Sequence, residues 1–278
     1  MASDIANVLR KLEEISERYW EGECELSTNS SPREQVILFL KNYAYERNVS
    51  VEKYKEAAEK VMKIAYDEYL ENKRLGDDEI EQEYIKHLEG DKPNKLMEGA
   101  KPNKLTDVFI PRKSGDLISI HDFISNFLKG QGMGIQQWVK DELLNGSRKE
   151  GTIKKLQKLR GIGEKISKLY IRDVVYTYNI EDKIDKEYRH ILHPVDVWVE
   201  RGWKAFKGIP DDGKHYKAEK IAKELVNMAN ENNVSNTKIN AGIFFYGAKI
   251  CENRNLFRKS LSSHESMECI LNIYDSPE

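Results

Sequence analysis

Cysteine is scarce in this sequence. Cys24, Cys251 and Cys269 are the only three among 278 residues, odd in number and far apart. They exclude a disulfide framework and point to a reducing compartment. Three thiols also cannot supply the four thiolates of an iron–sulfur cluster. No apolar run approaches the eighteen or so residues of a membrane span, and no secretory leader opens the chain, so a soluble intracellular protein without a membrane partner is expected. No stretch alternates at period two over several strands, which leaves a nearly all-helical, all-α fold. Net charge is only −2, so the chain is not a globally basic polyanion binder. His190 and His193 stand three apart, yet no carboxylate or cysteine set joins them, and no metal site is expected.

Helical periodicity is abundant. Ile5, Val8, Leu9, Leu12, Ile15 and Tyr19 mark an amphipathic first helix. Ser31-Pro32-Arg33-Glu34 reads as a helix start, with serine at the N-cap, proline at the first helical position and glutamate at N3. Further helices are expected over 54–73, 78–88, 118–128, 135–144, 153–159, 216–230, 240–251 and 261–274. Between them, 91–116 carries a duplicated pentapeptide, Lys92-Pro93-Asn94-Lys95-Leu96 and Lys101-Pro102-Asn103-Lys104-Leu105, too short for a solenoid repeat and read as an extended surface loop. Gly130-Gln131-Gly132-Met133-Gly134 has neither a preceding strand nor a following Gly-Lys-Ser/Thr, so it is a turn and not a phosphate loop.

The densest information lies from Leu156 to Trp203. Leu159-Arg160-Gly161-Ile162-Gly163-Glu164-Lys165-Ile166-Ser167 reads as a helix end, a hairpin of two glycines and a second helix. Gly161 and Gly163 permit φ > 0 and close approach by another backbone. A glycine turn feeding a helix N-terminus suits a phosphate. From Ser147 to Arg172, nine basic residues stand against two acidic ones, a local surplus of positive charge centred on the hairpin. Such a stripe is what a phosphate grip requires, although a solvated helix face would look the same. His193-Pro194-Val195-Asp196-Val197-Trp198 follows about thirty residues later, and Asp196 is also a good helix N-cap.

This pair of strings, in this order, resembles the helix-hairpin-helix superfamily of base-excision DNA glycosylases. Leu159 to Ser167 matches the hairpin, Pro194-Val195-Asp196-Val197 the catalytic aspartate loop, and Arg201 an arginine that follows it. Lys165 falls where the bifunctional members carry their nucleophilic lysine. Arg160, Ser167 and Trp198 depart from the usual proline, alanine and histidine. The long gap from Lys165 to Asp196 is similar to that of the archaeal 8-oxoguanine glycosylases.

The resemblance implies two helical lobes with a cleft between them and the hairpin at its mouth. One lobe would span 31–196 and carry the helix-hairpin-helix at 156–178; the other would join 1–30 to 197–278. It implies a glycosylase with abasic-site lyase activity on double-stranded DNA containing a damaged base, 8-oxoguanine being the leading lesion. Lys165 and Asp196 would be catalytic, and Arg160, Gly161, Gly163 and Lys168 would hold DNA. Tyr43, Tyr45, Asn48, Trp198 and Phe244 are candidates for the base pocket. No cofactor is implied beyond a monovalent cation at the hairpin, and the protein would be a cytoplasmic or nucleoid-associated monomer. A non-catalytic hairpin module and a monofunctional glycosylase using Asp196 alone stand as alternatives.

In that chemistry a carboxylate beside the sugar stabilises the positive charge that develops as the glycosidic bond breaks. An unperturbed lysine is neutral in only about one molecule in 2,500 at pH 7, so an attacking amine needs neighbours that disfavour its charge. The target base must also leave the helical stack.

Overall fold

A computed structural model describes residues 2–22, 24–39, 42–43, 134–146, 149–158 and 162–276. Every regular element among them is helical, as periodicity predicts. In chain order these are α1 (Ala2–Gly22), α2 (Pro32–Phe39), α3 (Ile135–Asn145), α4 (Lys149–Leu156) and α5 (Glu164–Thr177). Two 3-10 segments, Glu181–Lys183 and Lys186–Leu192, lead to α6 (Val197–Phe206), α7 (Ala218–Asn232) and α8 (Asn236–Phe245). A π-helical turn, Tyr246–Cys251, then precedes α9 (Arg254–Ser260) and α10 (His264–Tyr274). The helices expected over 54–73, 78–88 and 118–128, and the duplicated loop, lie outside the described residues.

The chain divides into two compact units. One joins Met1–Thr28, Glu142–Gly151 and Glu164–Glu278; the other joins Asn29–Asp141 and Thr152–Gly163. This differs from the expected boundaries, because residues 164–196 belong with the chain ends and not with a 31–196 lobe. Buried polar contacts explain it. From α5, Tyr176 donates to Glu17 of α1 at 2.6 Å and Asp173 accepts from Tyr19 at 3.0 Å, while Arg172 donates to Asn240 of α8 at 2.9 Å. Trp20 of α1 stacks on Tyr176, ring centroids 3.8 Å apart.

The core of the first unit forms where α1 lies along α8. Val8, Leu9, Leu12, Ile15 and Tyr19 fall at helical spacing and are all buried. Each fully buried aliphatic side chain contributes roughly 1.5–3 kcal/mol. The close approach depends on Gly242, where a Cβ would stand 2.0 Å from the Leu12 carbonyl oxygen. Asn233, left-handed at φ 54°, closes α7. Ser235 then starts α8 by accepting from Lys238 N at 3.2 Å. Glu181 completes that cap from the first 3-10 segment, accepting from the Asn236 and Thr237 N–H groups at 2.7 and 3.1 Å. Burial opposes its charge, but bonds from Ser235, Thr237 and Asn236 prevail and hold its carboxyl below the usual range.

In the second unit, the capping box expected at Ser31 is formed. Glu34 accepts from Ser31 N at 2.7 Å while Glu34 N donates to Ser31 Oγ at 3.3 Å. Gln35 reaches across to α3, where its Oε1 accepts from Gln136 N at 3.0 Å.

Candidate active site

Asp196 is fixed by the start of α6. Its Oδ1 accepts from Trp198 N at 2.9 Å and Val199 N at 2.8 Å, an N-cap that satisfies two otherwise unpaired helix donors. The half-buried carboxylate is poised between opposing influences. Burial raises its pKa, whereas the Val199 N–H, the Lys165 charge, the Trp198 N–H and the Arg172 charge pull it down; burial prevails and the net shift is upward. Lys165 and Asp196 therefore lie within electrostatic reach, in one compact unit, although 31 positions separate them in the chain. Lys165 is exposed in the first turn of α5, and Val197, beside Asp196, is 46% exposed.

Behind the aspartate runs a buried polar chain. Arg172, 1% exposed, bonds Asp173 through Nε at 2.9 Å and Asn240 Oδ1 through Nη1 at 2.9 Å. Its guanidinium also lies over the rings of Tyr19 and Trp20, at 4.7 and 5.3 Å. The Asn240 amide donates to the Pro194 carbonyl at 3.3 Å and stands 3.5 Å from His193 Nδ1. His193 Nε2 donates to Asn236 Oδ1 at 3.1 Å. Burial drives the His193 pKa down to about 4, so the ring is neutral at pH 7. The loop before Asp196 is thus tied to α8 by hydrogen bonds on successive residues, and through Asn240 to Arg172 of α5.

No family model, curated protein or solved structure matches this chain.

The remaining expected site residues fare differently. Lys168 is 4% exposed and its amine lies 2.7 Å from the exposed Glu164 carboxylate one turn earlier, so its charge is paired at the start of α5 and not presented freely to solvent. Arg172 likewise leaves the basic stripe for the interior. Lys154, Lys155, Lys158 and Lys165 remain exposed. Gly163 does not use the positive φ that glycine permits. Among the described residues a Cβ there would meet nothing within 4 Å. Arg160 and Gly161 lie outside the described residues, as do Tyr45 and Asn48.

Among the pocket candidates, Trp198 packs its indole edge-on to Phe257 at 5.2 Å and under Arg201 at 5.3 Å. Gly247 makes room for it, since a Cβ there would fall 2.6 Å from the indole. Trp198 is therefore committed to packing within its own unit. Phe244 meets Tyr19 edge-on at 6.1 Å, beside the core. Tyr43 is buried in the other unit, stacked on Phe39 at 6.2 Å. Among the described residues no group of three or more His, Cys, Asp or Glu side chains is placed to hold a metal ion.

Arg172, Asn240 and His193 were not singled out as site residues by sequence reasoning. For two of them a signal was present: a charged pair, Arg172-Asp173, inside the apolar run of α5, and an asparagine inside the most apolar of the described helices.

Proposed function

We propose that the protein is a DNA glycosylase and abasic-site lyase acting on a damaged base in duplex DNA. The observation that carries this reading is the Lys165–Asp196 pair: an exposed amine acting on a carboxylate that a helix start holds in place. With an extruded nucleotide between them, the Lys165 amine attacks C1′ and the C1′–N bond breaks. The base leaves with the bonding electrons and acquires a proton. Asp196, ionised, stabilises the positive charge on the sugar as that bond lengthens. The sugar ring then opens to a protonated imine. Loss of a C2′ proton expels the 3′ phosphate and nicks the strand, and water hydrolyses the imine to release Lys165.

The upward pull of burial on Asp196 also marks a place where solvent is already partly excluded, so a charge–charge interaction there is stronger than in water. Gly163 fits the same reading. With no described atom within 4 Å of where its Cβ would stand, Gly163 leaves space for a phosphate to approach the start of α5. Lys154, Lys155 and Lys158 supply exposed positive charge on the preceding segment. An oxidised purine such as 8-oxoguanine is the leading lesion.

The test is a panel of duplexes, each with one defined lesion, incubated with purified protein and resolved on denaturing gels. Strand cleavage at a lesion without alkali supports the bifunctional reaction. Base release that needs alkali to reveal it leaves a monofunctional enzyme, and DNA binding with no base release across the panel overturns the enzymatic reading.

A further inference from the structure

Asp196 is held from the front by its own helix, but its loop is held from behind by residues of two other helices. Three successive links run through buried atoms. Asp173 and Tyr19 fix the Arg172 guanidinium, Arg172 fixes the Asn240 carbonyl, and the Asn240 amide fixes the Pro194 carbonyl two residues before Asp196. Arg172 is 1% exposed and Asn240 0%, so neither is placed to touch DNA. Interior polar groups carry a desolvation cost, and an apolar pair would fill the same volume without it. What this chain does that an apolar pair could not is direct a donor at one backbone carbonyl.

We propose that Arg172 and Asn240 are positioning residues for Asp196, Asn240 fixing its loop through the Pro194 carbonyl and Arg172 fixing Asn240. The proposal rests on the reaction assigned above for its kinetic consequence, though not for its structural one. Among the described residues, Lys165 and Arg172, both from α5, are the main charged influences on Asp196; α6 presents the Trp198 and Val199 N–H groups, and α8 bonds the preceding loop through the uncharged Asn240. Arg172, buried and bonded to Asp173 and Asn240, keeps its place whatever Lys165 does in the reaction. Misplacing a catalytic group by about 1 Å can cost two orders of magnitude in rate, so a device that holds the loop is worth its burial.

The decisive variant is Asn240→Asp. It keeps shape and an oxygen for Arg172, removes the donor to Pro194 and sets a negative charge against Arg172. Two measurements are made on the intact chain. The first is the pH titration of the Asp196 side-chain carboxyl by 13C NMR, which needs no substrate. An upward shift of roughly half a pH unit or more is expected in the variant. The second is single-turnover base release from lesion duplex, expected to fall roughly tenfold or more while DNA affinity stays within about twofold.

Arg172→Lys is the second variant, should Asn240→Asp not fold. It keeps the charge but cannot bridge Asp173 and Asn240 together, so base release should slow with a smaller change in the Asp196 titration. An Asp196 titration and a base-release rate both unchanged in a folded variant would overturn the proposal. If the wild-type protein releases no base, yet Asn240→Asp shifts the Asp196 titration, the assigned reaction fails and the positioning role stands.

Discussion

Replacing Asp196 separates its two roles, as a helix cap and as a charge. In Asp196→Asn the side-chain carbonyl would present the same oxygen to Trp198 N and Val199 N, which Asp196 Oδ1 contacts at 2.9 and 2.8 Å, and asparagine is as good an N-cap as aspartate. The charge itself contributes nothing to folding at neutral pH. The folded pKa of Asp196 is raised, chiefly by burial, so its contribution to stability is present below the unfolded pKa and is lost as pH rises through the folded one. At pH 7 the neutral Asp196→Asn protein should therefore be at least as stable as wild type. Asp196→Ala removes both cap bonds and should lose about 1 kcal/mol, or about 2–4 °C in midpoint for a unit of this size. Thermal unfolding followed by circular dichroism at 222 nm gives the stability half. Single-turnover base release gives the chemical half, where Asp196→Asn should be slower by about 100- to 1,000-fold, as when one preorganised electrostatic group is removed from an active site. Wild-type turnover in Asp196→Asn would refute the chemical role. A midpoint as low as that of Asp196→Ala would refute the assignment of the cap to Oδ1 alone.

Other perturbations follow from the same contacts. Gly242→Ala should lower the thermal midpoint by several degrees: a helix-propensity gain of about 1 kcal/mol is outweighed when the new Cβ, 2.0 Å from the Leu12 carbonyl, forces α1 from α8 at a cost of about 3 kcal/mol or more. Gly163→Ala should leave that midpoint unchanged or slightly higher, since the methyl meets nothing within 4 Å, yet weaken duplex binding about tenfold by fluorescence anisotropy. His193, with a folded pKa of about 4 against 6.5 in the open chain, binds its proton more readily when unfolded. Stability should accordingly fall as pH drops from about 6.5 toward 4, by up to about 3 kcal/mol. Urea titrations at pH 7 and pH 4.5 should show that loss in wild type and a clearly smaller one in His193→Gln.

Much of the helical order was legible because it follows from periodicity and capping chemistry. α1 and α5 begin within a few residues of where their apolar spacing places them, and the Ser31–Glu34 box forms as its side chains dictate. Helix boundaries late in the chain were less legible. A single helix was expected over 240–251, but α8 starts after the cap at Ser235 and passes into a π turn at Tyr246, an adjustment that side-chain periodicity does not encode. α9 was missed altogether, though Asn253 caps it by accepting from Asn255 N and Leu256 N.

At the candidate site, the N-cap role of Asp196 was legible from its place before Val197, whereas the burial of Lys168 and Arg172 was not. A count of basic residues treats every cation as a surface charge. Whether one turns inward depends on what α5 packs against: Arg172 is received by Asn240 of α8 and by the rings of Tyr19 and Trp20 of α1, partners that become visible only in the fold.

The most direct measurement is borohydride trapping of the protein on lesion-containing duplex, followed by mass spectrometry of the cross-linked peptide. Reduction should capture a covalent adduct in wild type, with the sugar remnant on Lys165, and Lys165→Ala should yield none. An adduct on a different lysine, or trapping undiminished in Lys165→Ala, would contradict the assignment of Lys165 as the attacking amine.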